Sequence, residues 1–155
     1  MRALAFPELG PTVLRVITGV VMAVHGWQKI TNGVDGFAGF LEQLALPAPM
    51  VLAYVVTVLE FGGGLLLVAG LLSRLMGLLL AIYMLFTSFY VKVGKLGVPM
   101  IADQGTGWEL DIVLFAAFVA IVLLGPGLLS IDTAIGLERR RAGRAASDRQ
   151  SSLRG

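Results

Sequence analysis

The sequence contains no cysteine and a single histidine, His25. Without thiols the chain can build no disulfide, no thiol relay, no zinc–thiolate site and no thiolate-ligated cluster. One histidine cannot supply two histidine ligands to a haem or a metal, so no metal site is expected, and any redox chemistry must run through a bound organic molecule or a partner. Charge is scarce as well. Asp, Glu, Lys and Arg make up 14% of the residues, against about 25% in an average soluble domain. The chain also lacks a nucleotide-binding loop, a dinucleotide fingerprint and a nucleophile elbow. The run Gly62-Gly63-Gly64 lies inside an apolar stretch and is no phosphate cradle.

What the 155 residues do contain is apolar surface: 57% are hydrophobic, a further 20 are glycine, and the mean hydropathy is +0.86. A soluble globule of this length could not bury that much apolar area, and it would have too few charges to cover its exterior. The composition excludes an ordinary cytosolic enzyme, a disordered segment and a nucleic-acid-binding domain, and it points to a membrane protein. The formal net charge of +2 conceals an uneven distribution. Residues 138–155 carry six arginines against Glu138 and Asp148, while the rest of the chain has six basic residues against eight acidic ones. The basic tail has no interleaved aromatics, so it is read as a topology and lipid-headgroup signal, with no nucleic-acid partner expected.

A bilayer core of ~30 Å needs about 20 mostly apolar residues in a helix. Four segments qualify, at about 11–30, 49–72, 74–92 and 108–124. Pro11 and Pro49 suit first helical turns, and Gly125-Pro126-Gly127 cannot continue a helix cleanly. A cleaved signal peptide is disfavoured for the first segment, whose apolar stretch is too long and lacks a small-x-small cleavage site. The second and third segments, separated by Leu72-Ser73-Arg74, must form an antiparallel hairpin. Between the first two, Phe37, Phe40, Leu41 and Leu44 form an i, i+3, i+4, i+7 stripe, with Asp35, Glu42 and Gln43 off it. The glycine-rich connection 93–107 is expected to be irregular, and Ser130-Ile131-Asp132 to start a short helix. The expected fold is therefore all-α: an integral membrane four-helix bundle over residues 1–135, with a short amphipathic interfacial helix between spans 1 and 2. A basic, mostly disordered cytoplasmic tail over 136–155 follows.

Four spans put both termini on one side. Arg2, Arg15, Arg74 and the six tail arginines fall on that side, and Lys29, Lys92 and Lys95 on the other, so both termini are expected in the cytoplasm. Trp27 and Trp108 then sit at the outer interface.

Ionisable groups within a bilayer are costly and each needs a reason. Glu60 lies ~16 Å into the second span at 1.5 Å per residue. Gly63 and Gly64 follow on its face, leaving room either for a ligand or for a close neighbouring helix. His25 and Lys29 are i and i+4 on the first span; a lone histidine is commonly structural, and a lysine near a helix end commonly snorkels. Tyr83, Thr87 and Tyr90 form a polar stripe on the third span. Tyr90 suits the interface, whereas Tyr83 is deep enough to need a buried partner. Thr106-Gly107-Trp108-Glu109 matches a capping box, and Asp111 suits a first helical turn. Val113, Ala116 and Ala120 continue the face below Glu109. Gly19/Ala23, Gly77/Ala81 and Ala116/Ala120 are small-xxx-small pairs. His25, Lys29, Glu60, Tyr83, Lys92 and Glu109 all fall in the outer half, where they are the candidates to line one polar ligand cavity. Arg15, Trp27, Trp108 and Asp132 are assigned to structure and topology.

The ordered stretches Arg15…Gly19…His25-Gly26-Trp27-Gln28-Lys29, Glu60-Phe61-Gly62-Gly63 with Gly70, Gly107-Trp108-Glu109, and Gly125-Pro126-Gly127 with Ser130-Ile131-Asp132 make residues 10–135 resemble the DoxX family of small membrane proteins. The resemblance implies a four-helix bacterial inner-membrane protein. It implies an association with quinone-linked oxidation of sulfur compounds and with membrane oxidoreductase complexes that handle oxidative stress. Arg15, His25, Lys29, Glu60, Trp108, Glu109 and Asp132 are the positions it carries over.

Three functions compete. The first is a membrane redox accessory that binds a quinone or another small amphiphile, alongside a membrane oxidoreductase partner. The second is a noncatalytic anchor or assembly subunit, in which the polar cluster is structural glue. The third is a small-solute transporter, which four spans would require to act as an oligomer. A homodimer suits so small a bundle. No turnover is legible.

Overall fold

The computed structural model describes residues 9–105 and 107–137. The candidate basic tail lies almost wholly outside the described residues. Among those described, the chain is helical with no strand. The order is α1 (Leu9–Asn32), α2 (Val34–Gln43), α3 (Pro49–Ala69), α4 (Ser73–Leu85) continuing as a π-helical segment (Phe86–Lys95), α5 (Glu109–Leu124) and α6 (Ile131–Ala134). Three helices are long and apolar enough to cross a membrane: Leu9–Asn32, Pro49–Ala69 and Ser73–Lys95. At 16 residues, α5 is ~24 Å long, shorter than those three.

The polarity of this molecule is turned inside out. The faces turned outward carry Val13, Ile17, Val20 and Val24 on α1, and Val51, Val55 and Val58 on α3; Val58 is 67% exposed. The buried interior meanwhile holds Arg15, Thr18, Thr57, Glu60, Ser88, Asp111 and Asp132. Outward valines and inward charges are the distribution a lipid solvent selects. Between the polar layers, Met22, Leu67, Leu80, Met84, Leu114, Phe118 and Ile121 form the apolar core.

Helix α1 packs most extensively on α3, and α4 on α5. The α1–α3 contact is made by glycines. A Cβ at Gly26 would stand 2.6 Å from the Phe61 Cβ, and one at Gly64 would stand 2.5 Å from the Ala23 backbone nitrogen. Only hydrogen at these positions lets the two backbones meet. Gly77 serves α4 in the same way, 3.2 Å from the Phe118 carbonyl. Two of the three small-residue pairs predicted from sequence thus lie at helix contacts. The third, Ala116/Ala120, lies off the buried stripe of α5, which is Asp111, Leu114, Phe118 and Ile121. Val113, on the outward side, is 65% exposed.

The second helix ends before the predicted Leu72. Gly70 takes φ +72°, and its N–H closes on the last turn. Helix α4 begins at Ser73, one residue before the predicted start at Arg74. Leu72 sits at φ +53°, a left-handed conformation costing ~1 kcal/mol or more for a non-glycine residue. Asp132 holds it there: Oδ1 accepts from the Leu72 N–H and Oδ2 from the Ser73 N–H, both at 2.8 Å.

Helix α2 packs against the first half of α3 through Ala38 and Leu41, which join Leu46 and Ala53 in a small second core. Of the predicted stripe, Leu41 is buried, Phe37 and Leu44 are half-buried, and Phe40 is exposed. Beyond Leu85 the helix widens. The Leu96 N–H reaches back to the Val91 carbonyl at 3.0 Å and the Val98 N–H to that of Lys92 at 2.9 Å, so helical structure runs to Lys95, into the connection 93–107 predicted to be irregular. Ser130 caps α6, its hydroxyl accepting from the Thr133 N–H at 3.1 Å.

Candidate functional site

At the end of the molecule where α1 finishes and α3 begins, four helices converge on one polar space. Glu60 is 3% exposed. Its Oε1 accepts from the Tyr83 hydroxyl at 2.6 Å, and its Oε2 pairs with the Lys29 ammonium. Lys29 comes from α1, Glu60 from α3 and Tyr83 from α4, so this triad ties three helices together. The Phe37 ring lies under Lys29, with 4.8 Å from Nζ to the ring centre. Across the space, Lys92 pairs with Asp111 at 3.0 Å and donates to the Gly107 carbonyl at 2.7 Å. The π-helical widening begins at Phe86, after Tyr83, and carries Lys92; such widenings are frequent at functional sites.

Together His25, Lys29, Glu60, Tyr83, Thr87, Lys92 and Asp111, floored by Met22, Met84, Leu110 and Leu114, enclose a cavity of about 260 Å³. His25 contacts no member of the triad directly. Its Nδ1 donates to the Val21 carbonyl at 2.8 Å, since a carbonyl can only accept. That leaves Nε2 as the free face of the ring. A second cleft of about 280 Å³, lined by His25, Gln28, Lys29, Asn32 and Phe37, continues the polar lining toward α2.

Five of the six candidates, His25, Lys29, Glu60, Tyr83 and Lys92, thus share one cavity. Glu109 does not line it. The reason is angular. Residues two apart on an α-helix point about 200° from one another, and Asp111 faces inward. The predicted capping box around Glu109 falls partly on a residue that is not described. Thr106 lies outside the described residues, α5 opens at Glu109 itself, and Trp108 in the N-cap position caps with no side chain. Asp111 is the residue that sequence reasoning assigned only to a helix turn. Its signal was the spacing Asp111, Leu114, Phe118, Ile121, which is a better buried stripe than the one through Glu109. Asp111 Oδ2 is buried without a hydrogen-bond partner among the described residues, so this residue of the cavity lining retains an acceptor that none of them meets. No cluster of three His, Asp or Glu residues able to hold a metal ion occurs among the described residues.

The other end of the molecule is also polar but is filled. Arg15 is 1% exposed. Its guanidinium donates to the Leu67 carbonyl, to Val68 at 2.8 Å, to Pro126 at 3.0 Å and to Leu129 at 3.1 Å. It satisfies the open carbonyls at the end of α3, where a cation is favoured, while Asp132 serves the amides at the start of α4, where an anion is favoured. The Asp132 N–H also donates to the Gly70 carbonyl at 2.9 Å. These contacts join the α3–α4 turn to the Gly125–Ser130 loop. Trp27 and Trp108 lie at the cavity end, Trp27 against Phe61 at 5.8 Å and Trp108 against Phe89 at 6.0 Å between ring centres.

Comparison with known proteins agrees with this architecture. The DoxX family model matches residues 10–93. The chain is 34% identical over 125 residues to "Putative oxidoreductase CatD" of Bacillus subtilis, covering 81% of this chain and 86% of that protein. It is 30% identical over 126 residues to "Inner membrane protein YqjF" of Escherichia coli, covering 81% and 91% of the two chains. It is 25% identical over 125 residues to "Inner membrane protein YphA" of the same organism, covering 77% and 86%. No solved structure is a significant match. With a family model spanning more than half of its length and two such relatives over four fifths of it, the chain belongs to the DoxX family of membrane proteins.

Proposed function

We propose that this protein is an inner-membrane accessory of a redox system that binds a quinone-like or similar small amphiphile in the cavity between Glu60 and Asp111. The observation that carries this reading is the lining. Two lysine–carboxylate pairs and a tyrosine hydroxyl surround about 260 Å³ of space inside a molecule whose outward faces are apolar. Such groups are expensive in a bilayer and persist where they serve a site. The ammonium donors Lys29 and Lys92 suit a ring bearing carbonyl oxygens, and the acceptor left open on Asp111 suits a ring hydroxyl. A quinone, when bound, supplies a carrier of two electrons and two protons. Lys29 balances the charge of Glu60, the Tyr83 hydroxyl donates to Glu60 at 2.6 Å, and His25 offers its free nitrogen beside the outer cleft. Electrons enter or leave through a partner oxidoreductase. The name of the Bacillus relative is consistent with that association.

In this reading α5 is a fourth crossing that runs antiparallel to α4, and α2 lies at the outer interface. Both termini are cytoplasmic, because the described arginines, Arg15 and Arg74, sit at one end and all three lysines at the other.

The test is native mass spectrometry of the full chain purified in mild detergent, with organic extraction of what stays bound. A stoichiometric quinone or other small amphiphile, lost in Glu60→Gln and retained in Glu42→Gln, supports the proposal. Phospholipid alone, or the added mass of another protein with no small molecule, would transfer the reading to an anchor or assembly subunit. Solute flux into proteoliposomes, insensitive to any bound amphiphile, would transfer it to a transporter.

A further inference from the structure

The cavity is small for its ligand class. Sites for drug-sized molecules occupy about 300–1,000 Å³, so about 260 Å³ accommodates a polar headgroup and little more. A larger groove of about 520 Å³ runs along the same α3–α4 seam, lined by Tyr54, Val58, Leu59, Gly62, Gly63 and Met76 among others. The two spaces are neighbours along one helix. Leu59 and Gly63 of the groove stand one residue before and three after Glu60 of the cavity, and the Tyr83–Glu60 hydrogen bond crosses the seam between them.

The glycines of the groove differ from those of the α1–α3 contact. A Cβ at Gly62 would meet nothing within 4 Å, and one at Gly63 would come no nearer than 3.6 Å to Met76 Sδ. Neither glycine is required for a helix to approach, yet their missing side chains widen the groove. Tyr54 and Val58, on its rim, are exposed on the face that the bilayer covers. The groove therefore opens to lipid along its length and adjoins a polar pocket.

We infer that the α3–α4 groove is the tail subsite of the same amphiphile, holding an aliphatic chain whose ring occupies the Glu60 cavity. The ligand is thereby a single-chain amphiphile that enters laterally from the bilayer, by way of the seam that Tyr83 and Glu60 close. This rests on the cavity reading above, and it adds a prediction that the cavity alone does not make: affinity depends on the tail through α3.

The experiment uses the full chain in lipid nanodiscs and two probes, decylubiquinone and its tailless ring analogue, with binding read by quenching of Trp27 and Trp108 fluorescence. Gly62→Leu and, independently, Val58→Trp fill the groove from different points. For Val58→Trp, whose new indole would join the fluorescence, binding is read by equilibrium dialysis. Both variants are checked for a wild-type melting temperature and native mass. The expected result is at least tenfold weaker binding of the tailed probe in both variants, with the tailless probe changed less than twofold. Each probe is compared only with itself in the same nanodiscs, so partitioning into lipid cancels. Equal weakening of both probes, or no weakening of the tailed one, overturns the tail subsite. A changed oligomeric mass with unchanged tail binding overturns it in favour of a copy-to-copy interface. Glu60→Gln separates the two proposals: loss of both probes there, with no effect of groove filling, leaves the cavity standing and removes the groove. Tail-dependent binding that ignores Glu60→Gln does the reverse.

Discussion

Replacing Arg15 with methionine isolates the filled polar end of the molecule from the cavity end. The side chain keeps its length but loses every donor. Four carbonyls, those of Leu67, Val68, Pro126 and Leu129, lose the guanidinium. The Leu67 carbonyl keeps the Gly70 N–H at 3.0 Å. A buried polar group left unsatisfied costs ~1–3 kcal/mol, so the gross loss over the other three is on the order of 3 kcal/mol even at the low end. Against this stands the relief of no longer burying a charge. Measured losses on removing one partner of a buried charged network are ~3–5 kcal/mol. Asp132 adds to the cost, because its buried carboxylate loses the favourable charge of Arg15 while keeping its two amide donors. Scaled at ~2–4 °C per kcal/mol for a chain of this size, the melting temperature in detergent should fall by roughly 6–20 °C. Arg15→Lys should fall between wild type and Arg15→Met, since one ammonium cannot reach carbonyls on both sides of the loop. At a temperature where Arg15→Met remains folded, ligand binding should persist, because residues 15 and 29 are separated by ~21 Å of helix. A melting temperature within about 3 °C of wild type would refute the claim that the guanidinium holds the α3 end to the Gly125–Ser130 loop. Loss of ligand at full stability would refute the division of the molecule into a filled end and a binding end.

Lys29→Met should destabilise the protein by ~2–4 kcal/mol, somewhat under the figure for a fully buried pair because Lys29 keeps partial access to solvent. Adding Glu60→Gln should recover at least half of that loss in a double-mutant cycle read by thermal unfolding, whereas simple additivity would show that the two side chains do not share one charge balance. Gly26→Val should cost ~2 kcal/mol or more by forcing α1 off the Phe61 backbone; a variant that melts like wild type and elutes as a single species would contradict the close approach. The absence of cysteine makes the chain a clean background for topology. Single cysteines in place of Glu42 and Asp103 should react with a membrane-impermeant maleimide on spheroplasts, and one in place of Leu129 only after permeabilisation. The opposite pattern would reverse the orientation inferred from the arginines and lysines.

The sequence by itself determined the class and the helices. With so few charges and so much apolar side chain, only a lipid environment satisfies the composition, and runs of about 20 apolar residues in such a solvent have to be helical. The prolines, the Gly125-Pro126-Gly127 stop and the brief α3–α4 connection marked where the helices lie to within a few residues, because those signals are local. Burial of Glu60 and Tyr83 was also legible, since a carboxylate and a phenol at that depth must find partners. What the sequence left open was which partners. That Lys29 turns inward to Glu60 instead of snorkelling outward depends on α1 and α3 meeting at Gly26 and Gly64 closely enough to bring the ammonium within reach. The exchange of Glu109 for Asp111 in the cavity lining was decided by where α5 begins, in a stretch where several starts satisfy local rules and only packing against α4 selects one. The same limit applied to the glycines: Gly62, Gly63 and Gly64 are identical as letters, and only the neighbouring helices make one a close contact and two the wall of a groove.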